Sequence, residues 1–251
     1  VLEGYLAALR TLPETYGVRD DISVMSLARL PDVFVVEKQE EDEQKLTADI
    51  LGVANEAIAK FKQQVCQDPL ARKRVEVAIV TFETHVEIVS DFMPIDQMPS
   101  ITLEPGGQTH MAEAIQVAID LVKKRTREYQ GVGVPCFKPW IFMITDGVSM
   151  STPEAMQEAA ARIHEEECKG SNGRLKFWAL GVDDYDKEEL FKLTDRVIEL
   201  QQHEFTGIFD WLVDSMSAIS KSQVGDRIEL DNLPEGAGMA ADIEERDVSE
   251  W

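Results

Sequence analysis

Three short stretches hold the side chains of this sequence that could do chemistry together, and all are rich in oxygen donors. The first follows an apolar run ending at Val36 and reads Glu37-Lys38-Gln39-Glu40-Glu41-Asp42-Glu43-Gln44. The second is Gly106-Gly107-Gln108-Thr109, immediately ahead of a segment with helical periodicity. The third is Thr145-Asp146-Gly147, directly after the apolar run Trp140 to Ile144. A Thr hydroxyl and an Asp carboxylate converging from neighbouring strand ends are hard oxygen ligands of the kind Mg²⁺ accepts, usually with waters. Other candidates read as structural. His110 and His85 have no partner at catalytic or metal-ligand spacing, so they belong to surface or loop packing. Gly106-Gly107 lacks the flanking pattern of a phosphate loop and reads as a backbone turn. Ser149 and Ser151 come with no nucleophile elbow and no base, which argues against a hydrolase.

The elements that must position these stretches alternate between strand and helix. Leu30 to Val36 is a β-branched run, and Thr47 to Val65 carries Ile50, Val53, Ala54, Ala57, Ile58 and Phe61 at helical spacing. Val75 to Phe82 reads as a buried strand, with Thr84 to Phe92 as its hairpin partner at the sheet edge. Met111 to Glu128 is a second helix, and Trp140 to Ile144 is short enough for a central strand. Pro153 to Glu167 is an amphipathic helix with Ser151 or Thr152 as its cap. Leu175 to Val182, Lys187 to Asp195, Val197 to Leu200 and Ile208 to Lys221 continue the alternation. This order predicts an α/β domain: a doubly wound, mostly parallel sheet with one antiparallel edge strand and helices on both faces. Trp140, Trp178 and Trp211 fall inside these elements and are expected to be core or half-buried packing residues. Working loops in such sheets lie at the carboxyl ends of the strands.

Charge and composition narrow the partners. Of 251 residues, 47 are acidic and 25 basic, and the formal net charge of -22 would repel nucleic acid and anionic membranes. With 44% hydrophobic residues, the chain can bury a sizeable core. No apolar stretch is long enough to span a bilayer, and Val1 to Arg10 has no basic region with an apolar core behind it. A cytoplasmic protein is expected. Cys66, Cys136 and Cys168 are too few and too far apart to suggest a disulfide framework or a metal cluster.

Arg74 to Phe82 (RVEVAIVTF), Gly106 to Thr109 (GGQT), Lys138 to Gly147 (KPWIFMITDG), Phe177 to Val182 (FWALGV) and Phe209 to Asp226 (FDWLVDSMSAISKSQVGD) occur in one order. In that order they resemble the von Willebrand factor A (VWA) domains, and within them the bacterial YegL/TerY-like group. The resemblance runs from about Leu30 to Pro234. It implies residues 30-234 as the VWA domain and does not cover the ends: apolar residues at 2, 5, 6, 9 and 12 read as an amphipathic helix in an N-terminal extension at 1-29, and the Gly-, Ala- and acid-rich composition of 235-251 reads as an acidic, flexible tail.

It also implies a divalent-metal adhesion site built from Asp-x-Ser-x-Ser after the first strand, a Thr before a later helix and the Asp of the TDG turn. Thr109 and Asp146 match the last two. The first part departs from the pattern: Glu37 stands where the family has Asp, and Gln39 and Glu41 stand where it has Ser. Counting on to Asn55, which matches a family helix residue, implies a short insertion. Glu carries its carboxylate one methylene further out, and the small hydroxyl ligands are gone. The standard site cannot form. Two readings of the acidic loop stay open. In one it is a solvated loop whose charges serve the first turn of the next helix. In the other Glu37 or Glu41 joins Thr109 and Asp146 in a remodelled Mg²⁺ or Ca²⁺ site, weakened by the ordering of a long loop.

With no cofactor loop, nucleophile or intact metal site, the expectation is a non-enzymatic protein-protein interaction module of a bacterial multi-protein system, either stress-resistance or signalling and defence. Its contact surface is expected at Glu37, Gln39, Glu40, Glu41, Asp42, Glu43, Gln108, Thr109 and Asp146. Acids crowding that face suit a basic partner. No cofactor is expected, with Mg²⁺ or Ca²⁺ as the possible exception; the competing expectation is a metal-dependent adhesion-type ligand-binding domain.

Overall fold

The computed structural model describes residues 29–37, 44–82, 85–102, 110–145, 149–169, 173–182, 185–200, 205–223, 233 and 237–239. Strand β1 is Leu30–Glu37, helix α1 Gln44–Gln67, the single turn α2 Ala71–Arg74, strand β2 Val75–Phe82, strand β3 Val86–Pro94 and helix α3 Met111–Gly131. Strand β4 follows at Trp140–Thr145, then α4 Pro153–Cys168, β5 Lys176–Val182, α5 Lys187–Leu193, β6 Val197–Leu200, α6 Phe205–Lys221 and β7 Ala237–Met239. The strands form one sheet in the order β3-β2-β1-β4-β5-β6-β7. β1, β2, β4, β5 and β6 pair in parallel, and β3 is antiparallel at one edge. The expected doubly wound α/β sheet is therefore present. A second antiparallel strand, β7, closes the other edge beside β6; its three residues lie in a Gly- and Ala-rich stretch with no strand-like periodicity.

Burial on both faces explains why the central strands are apolar throughout, since helices cover each side of a parallel sheet. Every residue of β2 and β4 is buried. One core layer joins Ala57, Ile58, Phe61 and Val65 of α1 and Ile208, Phe209, Leu212 and Met216 of α6 to the sheet. The opposite layer joins Met111, Ile115, Ala118, Ile119 and Val122 of α3, Met156, Ala159 and Ile163 of α4 and Leu190 of α5 to the other face. In the first layer Phe34, Phe61, Phe142, Phe209, Trp140, Trp178 and Trp211 form a continuous aromatic chain, with neighbouring ring centroids 5.6 to 6.2 Å apart. The three tryptophans are core residues as expected, each less than 5% exposed.

Two buried acids anchor the amino edge of the sheet. Glu76 receives a bidentate pair from Arg125 (Nε to Oε2 2.8 Å, Nη2 to Oε1 3.0 Å), and the Tyr129 hydroxyl also donates to it. Arg29 approaches at 4.0 Å. Burial, then the Glu76 charge, raises the Tyr129 phenol and pushes the Cys136 thiol up to about 11. The other acid, Asp32, accepts the Trp140 backbone N–H at 2.9 Å through Oδ1. Its Oδ2 is buried with no hydrogen-bond partner among the described residues. Desolvation pushes its carboxyl up to about 7. Cys66, Cys136 and Cys168 are free thiols. No helix among the described residues is long and apolar enough to cross a membrane.

Candidate functional site

Parallel pairing decides where the three oxygen-rich stretches can act. β1, β2, β4 and β5 end on one edge of the sheet, at Glu37, Phe82, Thr145 and Val182. In register, Glu37 pairs with Phe82, Val36 with Ile144, and Thr145 with Gly181. Adjacent strands lie about 4.8 Å apart. The backbone therefore leaves Glu37 and Thr145 side by side, with Asp146 the residue after Thr145. Gln39, Glu40, Glu41, Asp42, Glu43, Gln108, Thr109 and Asp146 lie outside the described residues, as does the Glu37 side chain. What the structure brings together is the set of stems from which they emerge.

Those stems are tied to one another. Helix α3 begins at Met111, one residue after His110 and two after Thr109, and packs beneath β1 and β2. The Ala112 backbone N–H in its first turn donates to the Ser151 Oγ at 3.1 Å. The Ser151 N–H donates to Ser149 Oγ at 3.1 Å, and the Ser149 N–H to Glu189 Oε2 of α5 at 2.9 Å. Thr152 caps α4 by accepting the Ala155 N–H at 3.2 Å, ahead of Pro153. Asp186 caps α5 in the same way through the Glu189 N–H, at 3.0 Å. The loop after β4 is thereby stitched between two helix starts. Ser149 and Ser151 take the part of backbone ties.

Helices α1, α4, α5 and α6 each follow a parallel strand that ends on this edge, and the unpaired N–H groups of helix starts favour negative charge. Acids are the side chains this edge tolerates best. Thr145 is buried at the end of β4, and Thr81, one residue before the end of β2, is buried with its Oγ1 unpaired among the described residues. At the end of β5, a Cβ on Gly181 would come within 2.5 Å of the Tyr185 ring. Only glycine lets that ring lie across the strand end. Burial raises the Tyr185 phenol, and Glu199 adds to the effect. The Tyr185 cover and the Ser149 to Glu189 tie escaped the sequence reading. Their signals were a glycine next to last in a strand and an Asp-x-x-Glu capping pattern at Asp186.

As a donor set, the Thr109 hydroxyl and the Asp146 and Glu37 carboxylates suit a hard divalent cation in chemistry. Among the described residues, no three His, Cys, Asp or Glu side chains form a cation-binding group. His85 is exposed and His110 half-buried at the start of α3.

Comparisons with known proteins agree on the fold. No family model matches the chain. A VWA domain from Catenulispora acidiphila superposes with a TM-score of 0.53 at 15% identity, over 76% of this chain and 43% of that one. The pilus adhesin SpaC from Lactobacillus rhamnosus GG, in its open conformation, gives 0.58 at 12% identity, over 76% of this chain and 30% of that one. The VWA domain of the type V pilus tip protein Mfa5 from Porphyromonas gingivalis gives 0.50 at 12% identity, over 79% of this chain and 98% of that domain. The architecture is thus that of VWA domains. In sequence, the chain is similar to a probable endoribonuclease YicC from Clostridioides difficile, 32% identical over 59 residues, which is 24% of this chain. The match spans a fifth of that protein's length.

Proposed function

We propose that the chain is a non-enzymatic protein-protein interaction module of a bacterial multi-protein system of the stress-resistance or signalling and defence kind, working in the cytoplasm with little or no dependence on metal. The observation that carries this reading is the convergence of three loop stems on one sheet edge, where the sequence supplies acids and oxygen donors. Glu37, Gln39, Glu40, Glu41, Asp42, Glu43, Gln108, Thr109 and Asp146 form the contact surface, and its acids select a basic partner. In an intact VWA metal site the ion leaves one position open for a partner's carboxylate; on this reading the acids of the Glu37 to Glu43 run disfavour an acidic ligand there and suit a basic one. Reversing the charge of Glu37, Glu40, Glu41, Asp42 and Glu43 should cut partner affinity at low salt, and unchanged affinity would sink the proposal. A pull-down from the native host supplies the partner for that measurement.

Retention of Thr109 and Asp146 favours one second reading, a metal-dependent adhesion-type domain with a remodelled Mg²⁺ or Ca²⁺ site. Calorimetry with Mg²⁺, Mn²⁺ and Ca²⁺ on the wild type and on Asp146→Ala separates the two. Heat that Asp146→Ala abolishes supports the adhesion reading; no heat and no thermal shift support the metal-free module.

A further inference from the structure

On the face of the sheet covered by α3, α4 and α5, Glu199 of β6 stands between two glycines. Gly181 of β5 is its partner on one side and Gly238 of β7 its partner on the other. Val197 places the odd-numbered residues of β6 on this face, and Phe177 and Ala179 do the same for β5. Adjacent strands lie about 4.8 Å apart, so a side chain on either neighbour would crowd the Glu199 carboxylate. Neither neighbour has one. On the Gly181 side the Tyr185 ring takes the space, 2.5 Å from where a Cβ would lie. On the Gly238 side β7, last in the sheet order, brings no side chain to that position.

Two oxygens here lack a donor. The half-buried Glu199 carboxylate has neither a hydrogen bond nor an ion pair among the described residues. The Tyr185 Oη is buried and has no hydrogen-bond partner among them either. The two groups are close enough to interact, since Glu199 adds to the burial that raises the Tyr185 phenol. Lys187, the cation nearest to Tyr185 along the chain, holds its ammonium over the Phe191 ring, 6.0 Å from the centroid. A partly desolvated carboxylate without counter-charge, in a chain of net charge -22, favours a cation. One carboxylate and one phenol are too few oxygen ligands for a divalent metal. Together with an aromatic face they match a guanidinium, whose five N–H donors fork onto carboxylates and whose plane stacks on aromatic rings. Free arginine also carries an α-carboxylate, which Glu199 and the net charge repel; an arginine within a polypeptide does not.

We infer that Glu199, Tyr185 and the open position at Gly238 form a slot for an arginine side chain of a protein partner. The guanidinium donates to the Glu199 carboxylate and to Tyr185 Oη, and its stem passes over Gly238. The slot is read from β5, β6, β7 and Tyr185 and does not rest on the function proposed for the acidic loops.

A ¹H–¹⁵N NMR titration of the full chain with the capped peptide Ac-Gly-Arg-Gly-NH₂ tests this. The amide signals of Gly181, Glu199 and Gly238 should shift and saturate, with a dissociation constant on the order of 1 mM, as one charge-assisted fork and one stacking contact supply. The same peptide with citrulline, which keeps the shape and loses the charge, should bind about tenfold or more weakly. Glu199→Gln should weaken the arginine peptide by a similar factor. Gly238→Val, which suits a strand and fills the slot, should abolish saturation. Free L-arginine should bind several-fold more weakly than the peptide. Absence of saturable shifts, equal binding of the citrulline peptide, or unchanged affinity in either variant would overturn the inference. Free L-arginine binding as tightly as the peptide would overturn the assignment to a protein partner.

Discussion

Asp32 is a single residue whose environment sets a measurable pH dependence. Its carboxyl has one backbone donor, Trp140 N–H, and is otherwise desolvated, which raises it from 3.8 to about 7. The folded chain therefore binds this proton more tightly than an unfolded chain does. Between roughly pH 4 and pH 7 stability should fall as pH rises, because deprotonation is easier once the chain unfolds. Asp32→Asn keeps the acceptor for Trp140 and removes the titration. Chemical denaturation at pH 5 and pH 7.5 should show the wild type losing about 1–3 kcal/mol more than the variant across that interval; parallel losses would contradict it. Glu76 is the opposite case, a buried acid fully served by Arg125 and Tyr129. Glu76→Ala strips these partners of their acceptor and should cost about 2–4 kcal/mol in denaturation, with the discount that Arg125 is 25% exposed. Position 76 was legible as part of a buried strand in RVEVAIVTF, but its partners lie 49 and 53 residues away and nothing in the pattern pairs them.

Among the elements, β5 depends on a missing side chain. Gly181→Ala places a methyl 2.5 Å from the Tyr185 ring, so the ring must leave the strand end. A loss of about 1–3 kcal/mol in a thermal melt, with a change in Tyr185 exposure, is expected. Strand and helix types were readable because the periods differ, two along a half-buried strand and 3.6 along an amphipathic helix. Boundaries moved by a few residues: α1 begins at Gln44, earlier than Thr47, and α6 at Phe205, earlier than Ile208. Such ends are set by capping and packing on the neighbouring layer. β7 was not legible, because an Ala-Gly-Met strand has no pattern of its own and exists only through its pairing with β6.

At the scale of the whole sheet, the described strand ends differ in the charges they carry. Glu37 ends β1 at the carboxyl edge and opens the acidic run of the sequence, while Lys138, Lys176 and Arg196 stand at the strand starts of the amino edge. On the proposed reading, association through the acidic edge is steered by charge, so its on-rate should fall about tenfold or more between 20 and 300 mM salt while the off-rate changes less. Stopped-flow binding to the partner checks this, and a salt-independent on-rate would place the interface elsewhere. The aromatic chain through Phe34, Phe142 and Trp178 packs across the sheet between the two edges. Phe34→Ala, at 2% exposure, should cost about 3–5 kcal/mol in denaturation and weaken both edges together.

The sequence by itself determined the order and type of the main elements, the parallel character of the sheet and the edge where the acidic stretches emerge. Those follow from local periodicity and from the rule that strand, helix, strand units wind one way. Only the tertiary structure decided the partners of Glu76 and Asp32, the cover of Tyr185 over Gly181, the ties from Ser149 and Ser151, and the meeting of Lys138, Lys176 and Arg196. Each of these joins residues separated by intervening elements or by a turn whose path no pattern records. Lys138, Lys176 and Arg196 stand 38 and 20 residues apart along the chain, and three adjacent parallel strands make them neighbours.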